Sequence, residues 1–197
     1  MKLARGAFIL VASGMAARRL PPSELEVAVF RRINDLPDGL FVPIWAVMQG
    51  GSFGVVPIAA GAALLGGKRR LALSLAVSGS AAYVLAKVAK RPVGRSRPAR
   101  ILDGVRLRGR EEGDLGFPSG HAAVSSALAA ASSPWLDPRW GRAAVALAFA
   151  VGLSRLYVGA HLPLDDVGGT ALGAATGVGV ALLLRRTQRH RSGDPAS

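Results

Sequence analysis

No cysteine occurs among the 197 residues, so disulfides and thiolate metal ligands are excluded. Aromatic residues are scarce at 6%, although half of the chain is hydrophobic. Acidic residues are few as well, 12 against 25 lysines and arginines, for a formal net charge of +13. Charge is also missing from long stretches. Residues 39–67, 71–86 and 167–184 carry none, and 143–160 carry only Arg155. These runs come close to or exceed the roughly 20 residues that cross a bilayer, and residues 121–133 extend to a further span if a helix begins at 118–120. A soluble bundle would have to bury all of these helices within a chain of single-domain length. The expected fold is therefore all-α, a polytopic transmembrane helical bundle of about five to six spans.

The surplus of positive charge suggests nucleic acid as a partner, but its placement argues otherwise. Basic residues cluster at the ends of apolar runs, as "GKRR" (67–70), "KVAKRP" (87–92) and "RRTQRHR" (185–191). Anionic lipid head groups lie at that depth, so the expected partners are membrane lipids and no nucleic acid. Residues 1–22 have a basic start and a short apolar stretch, and read as a signal-like or short first membrane segment. Residues 23–186 form one membrane domain, and 187–197 a basic polar tail.

Within the domain, "SELEVAVFRRINDLPDG" (23–39) sets Leu25, Val27, Val29, Phe30 and Ile33 largely on one helical side, as in an interfacial helix. The run 39–67 is interrupted by "QGGS" and Pro57, which predicts two broken pieces. Gly169, Gly173 and Gly177, four residues apart, make a face suited to close helix packing. Trp45, Trp135 and Trp140 read as interface anchors.

Chemistry concentrates in three places. "FPSGH" (117–121) sets a proline suited to a first helical turn before a serine cap, a glycine that a ligand can approach closely, and a titratable histidine. "KRPVGRSRP" (90–98) carries Lys90 and Arg97, and "SRLYVGAHLPLDD" (154–166) carries Arg155, His161 and Asp165. Helices alternate in direction, so all three emerge on one membrane face. An arginine within an apolar span needs a partner, which makes Arg155 a functional candidate. Two arginines and a lysine on one face, with two histidines and a carboxylate, suit a phosphate, whose oxygens a guanidinium fork matches. His121, His161 and Asp165 also satisfy a two-histidine, one-carboxylate metal set, but Lys90, Arg97 and Arg155 would repel a divalent cation, and no metal is expected. Asp166 is placed to share the role of Asp165. Lys87, Arg91, Arg95, Arg100, Arg106, Arg108 and Arg110 are expected to face head groups or solvent, together with Asp103, Glu111, Glu112 and Asp114.

The order and spacing of these residues, Lys90 to Arg97-Pro98, Pro118-Ser119-Gly120-His121, then Ser154-Arg155 to His161 and Asp165, resembles the three signature motifs of the type-2 phosphatidic acid phosphatase superfamily. The motifs run from 90 to 165, the surrounding helical pattern from about 23 to 186, and the first twenty residues depart from the family. The resemblance implies a metal-independent phosphatase without cofactor. His161 would be the nucleophile that forms a phosphohistidine, Asp165 its partner, and His121 the general acid and later base. Lys90, Arg97, Ser119, Gly120 and Arg155 would bind the phosphoryl group. The implied substrate is a lipid phosphate or diphosphate. A polyprenyl, undecaprenyl-type diphosphate is the first expectation, with phosphatidic acid or phosphatidylglycerol phosphate, a phosphotransferase, or a noncatalytic lipid-binding or transport protein as alternatives. The basic residues around 68–70, 139–142 and 185–191 place the tail in the cytoplasm and the active site outward from a bacterial plasma membrane.

Overall fold

The computed structural model describes residues 2–18, 21–109 and 113–192. Arg110, Glu111 and Glu112, and the tail from 193, lie outside them. The described residues are helical and contain no strand. A single isolated bridge joins Ser96 to Leu115.

Helix α1 is Lys2–Ala17, α2 is Glu24–Asn34, α3 is Phe41–Met48 and α4 is Val55–Leu65. The long helix α5 is Arg69–Val93, followed by a short α6, Pro98–Ile101. The remaining three are α7, Gly120–Ser132; α8, Pro138–Tyr157; and α9, Pro163–Ser192. Their ends follow local chemistry. The Ser23 hydroxyl accepts the Glu26 N–H at 3.3 Å and the Asp137 carboxylate accepts the Arg139 N–H at 2.9 Å, each satisfying an orphan donor of a first turn. Helix α5 stops at Gly94, whose φ of 67° only glycine adopts without strain and whose N–H returns to the Lys90 carbonyl.

Two helices, α5 and the stretch Pro163–Thr187 of α9, are long and apolar enough to cross a membrane. The broken run makes a third candidate. Asp38–Gly51 and Val55–Leu65 meet at 68°, the two pieces that the sequence predicts. The all-helical membrane-type architecture agrees with the sequence, but this criterion is stricter about the number of spans. Helix α7, at 13 residues, reaches about 20 Å, short of the ~30 Å hydrocarbon layer, and α8 carries Arg139, Arg142 and Arg155. Large apolar side chains stay exposed on the outside, among them Leu65, Val42, Ile58 and Phe149, an exterior suited to lipid.

The interior is built from small residues. Ala82, Ala86, Ala123, Ala127 and Leu172 form one buried cluster, and Leu10 of α1 packs on it. The signal-like segment is thus a helix seated in the bundle, with Gly6 against Ala175 of α9. Helix α2 differs from the expected interfacial helix. Phe30 and Asn34 are buried as well as Glu26, while Leu25 and Val29 face out, because Glu26 is drawn inward by a charged partner described below.

The closest packing is between α7 and α9. A Cβ on Gly169, Gly173 or Gly177 would lie 2.4, 2.0 or 2.4 Å from the carbonyl oxygens of Ser119, Ala123 and Ala127 respectively. Both series advance by four residues, so the two backbones touch along two turns. Gly173→Ala is expected to cost about 1–3 kcal/mol through overpacking, read as a lowered thermal midpoint in detergent. Gly61→Ala, with nothing within 4 Å of the added Cβ, should stay within about 0.5 kcal/mol of the parent.

Candidate active site

The glycine contact brings the N-terminal ends of α7 and α9 together. The Ser119 N–H donates to the Asp165 carbonyl at 2.9 Å, and the Ser119 hydroxyl accepts the Ala122 N–H at 3.4 Å as the cap of α7. Beside this junction lies a cavity of about 700 Å³. Lys90 from the last turn of α5, Arg97 from the loop that follows, Gly120 and His121 from the start of α7, Arg155 from the end of α8 and His161 from the loop into α9 all line it.

Each cation is held from behind. The Lys90 ammonium donates to the Leu115 and Gly116 carbonyls, both at 2.9 Å, so the loop 94–116 is tied to α5. Buried Arg97 donates through Nη1 to the Ala160 carbonyl at 2.9 Å. Arg155, 3% exposed, donates through Nη1 to the Met48 thioether at 3.2 Å. Gly120 has open space where a Cβ would stand, which leaves the first turn of α7 accessible to an anion. Gly51, at the break between α3 and α4, lies so close to His121 that a Cβ there would be 2.7 Å from the His121 carbonyl oxygen.

His161 is almost fully buried, and its Nδ1 lies 3.4 Å from Asp165 Oδ2, which also accepts the Leu162 N–H at 3.0 Å. Burial first, then the Arg155, Lys90 and Arg97 cations and His121, hold the His161 pKa well below its ordinary 6.5. The imidazole is therefore neutral at neutral pH, with one ring nitrogen committed to the carboxylate. Among the described residues no group of three histidine, aspartate or glutamate side chains comes together as a metal-ligand set.

Arg95 and Arg108 behave otherwise than the sequence suggested, and Glu26 joins them. Arg95, expected at head groups or solvent, is 2% exposed. It forks onto Glu26 of α2 at 2.6 and 2.9 Å and reaches Asp165 Oδ1 at 3.2 Å, while Glu26 also accepts the Leu164 N–H at 3.0 Å. Asp165 thus sits between Arg95 and His161. Arg108, also expected outside, donates to the Asn34, Leu36 and Tyr157 carbonyls at 2.7–2.8 Å and closes the ends of α2 and α8. Burial of Glu26 has one sequence signal, a charge set among Phe30 and Ile33 on the apolar side of α2, whereas nothing in the sequence separates Arg95 from its basic neighbours Arg91 and Arg97. Asp166 is buried beside Ser119, without a hydrogen bond of ordinary geometry. Trp45 lines the cavity as well as being half exposed, and Trp135 packs under α4 and α5.

Comparison with known proteins agrees with the motif reading. The family model described as PAP2 superfamily matches residues 69–189, and the chain belongs to that superfamily. It is 31% identical over 120 residues to an undecaprenyl-diphosphatase of Sulfolobus acidocaldarius, covering 60% of this chain and 58% of that one. It is 36% identical over 140 residues to a lipid A 1-phosphatase of Rhizobium johnstonii, covering 64% and 57%. The chain thus spans under three fifths of the length of these curated relatives. In fold it is similar to a transmembrane PAP2 type phosphatidylglycerolphosphate phosphatase from Bacillus subtilis, with a TM-score of 0.73 at 21% identity over 96% of each chain. Aquifex aeolicus LpxE gives 0.69 at 24% identity over 85% of this chain and 98% of that one.

Arg95→Met should leave Glu26 and Asp165 buried without their shared cation, at a cost of about 3–5 kcal/mol. Combining it with Glu26→Gln should recover part of that loss, measured by unfolding in detergent. A double variant no more stable than the single would show that the two residues act independently.

Proposed function

We propose that this chain is an integral membrane lipid phosphatase that works through a phosphohistidine on His161, with a polyprenyl, undecaprenyl-type diphosphate as substrate. The observation that carries the reading is the buried, Asp165-paired His161 in a cavity lined by Lys90, Arg97 and Arg155. With Nδ1 held by Asp165, Nε2 is the nitrogen left to attack phosphorus. As the N–P bond forms and the bond to the leaving oxygen breaks, His121 gives that oxygen a proton. It then takes a proton from water as water attacks phosphorus and the N–P bond breaks. Asp165 stabilises the imidazolium character that develops on His161. Lys90, Arg97, Arg155, Ser119 and the Gly120 N–H stabilise the transferring phosphoryl group. These cations supply the positive charge that a metal supplies elsewhere, so the proposed hydrolysis needs none.

The substrate is argued from membrane chemistry. The cavity opens among apolar helices, so a phosphate attached to a hydrocarbon tail reaches it from the bilayer. The relatives' names divide between an isoprenoid diphosphate and lipid A. Orientation follows charge. Helix α9 runs from the cavity to Arg185 and Arg186, and α5 begins at Arg69 and Arg70 on that same far side. By the positive-inside rule that side is cytoplasmic, and the cavity faces outward from a bacterial plasma membrane.

Purified protein should release phosphate from undecaprenyl diphosphate faster than from phosphatidic acid, phosphatidylglycerol phosphate or lipid A, and should do so in EDTA. Loss of turnover on chelation, restored by Mg²⁺ or Zn²⁺, would reject metal-independent chemistry. A second expectation separates the histidines. With a ³²P-labelled substrate whose leaving group needs little protonation, quenched without acid, His121→Ala should retain label on the protein and His161→Ala none. Label on His161→Ala would move the nucleophile elsewhere.

A further inference from the structure

We propose that Lys87 binds a second phosphoryl group, the one attached to the lipid tail, and thereby makes this cavity selective for lipid diphosphates over lipid monophosphates. The proposal rests on the phosphatase reading above and assigns its substrate class to a residue outside the family's motifs. Tyr83, Ala86, Lys87 and Lys90 recur at helical spacing on α5, and all line the cavity. One stripe of α5 is therefore a wall of the site. Lys90 stands at its end, beside the Leu115 and Gly116 carbonyls and near the loop that carries Arg97. Lys87 lies one turn earlier, about 4.5 Å back along the axis toward the middle of the span.

That displacement has the direction a diphosphate requires. When the terminal phosphorus of a lipid diphosphate is attacked, the second phosphoryl group lies between the reacting group and the tail. The tail must return to the hydrocarbon, so the second group sits on the membrane side of the first. Lys87 occupies that side. It is exposed, and its ammonium lies over the ring of Tyr83, one turn back on α5, at 4.4 Å from the centroid. Tyr83 in turn packs on Phe53, centroid to centroid at 4.5 Å, and Phe53 lines the cavity too. A lysine within a span is costly, and an aromatic face compensates it in part. An anionic phosphoryl group would complete the compensation, and an ammonium with three rotatable donors reaches its oxygens without a fixed geometry. Beyond it, Tyr83 and Phe53 offer aromatic surface to the first carbons of an unsaturated tail.

The test compares released phosphate from farnesyl diphosphate and farnesyl monophosphate, using the full chain in detergent micelles. For Lys87→Met the ratio of kcat/KM values, diphosphate over monophosphate, should fall roughly tenfold, chiefly through the KM of the diphosphate, as expected for loss of one charge-assisted contact. Lys87→Arg, which keeps the charge, should recover part of the ratio. On the unaltered protein, methylenediphosphonate should inhibit at roughly tenfold lower concentration than methylphosphonate, a readout that needs no variant to fold. An unchanged ratio in Lys87→Met, or equal inhibition by the two phosphonates, overturns the subsite while leaving the phosphatase reading standing. If the unaltered protein hydrolyses phosphatidic acid but not farnesyl diphosphate, the diphosphate reading fails and the subsite with it.

Discussion

The contact between the backbones of α7 and α9 is the constraint on which the site depends. Gly169, Gly173 and Gly177 present no side chain to Ser119, Ala123 and Ala127, so the helices close until carbonyls meet the glycine face. No other residue type permits this approach, since even a methyl group would overlap the opposing oxygens. At the top of the contact Ser119 and Asp165 are joined through their backbones, which sets the Ser119-Gly120-His121 turn against the His161–Asp165 pair. Helix packing usually tolerates shifts of an ångström, but a site assembled from the ends of two helices does not. A glycine stripe removes that freedom.

Charge is the second constraint, and it is handled by anchoring rather than by dilution. Lys90 and Arg97 gather on carbonyl oxygens and Arg155 beside a thioether sulfur, so their positions are set before any anion arrives. Prearranged donors of this kind need not reorganise when an anion binds. The carboxylates stay behind this layer. Glu26 and Asp165 share Arg95, and through Leu164 and Leu162 both also fasten the first turn of α9. Helix α2, remote in sequence from the three motifs, thereby helps to orient the imidazole.

The chain belongs to the PAP2 superfamily, and the relatives it matches are named for different lipids. The part of the cavity lined by Lys90, Arg97, His121, Arg155 and His161 is built from the motif residues. Trp45, Phe53, Tyr83 and Lys87 line the same cavity from positions that the motifs leave open. The bend at Gly51 packs against His121 and so joins the broken span to the first turn of α7.

Much of this protein was legible in the chain itself. Uncharged runs specify membrane-type helices because a bilayer tolerates little else, and "QGGS" marks the broken span, while Pro57 falls inside the first turn of α4, where a proline is tolerated. The spacing of Lys90, Arg97, Ser119, His121, Arg155, His161 and Asp165 names the motifs, and the glycine interval names a packing face. Partnership across the bundle is another matter. Arg95 and Arg108 look like the other basic residues near helix ends, and only the folded chain sets Glu26, 69 residues away, against Arg95. Periodicity orients a side chain relative to its own helix and carries no information about which distant charge lies opposite. Whether a charged residue meets solvent or a buried partner is therefore decided by tertiary structure, because that contact forms only when several helices are already in place.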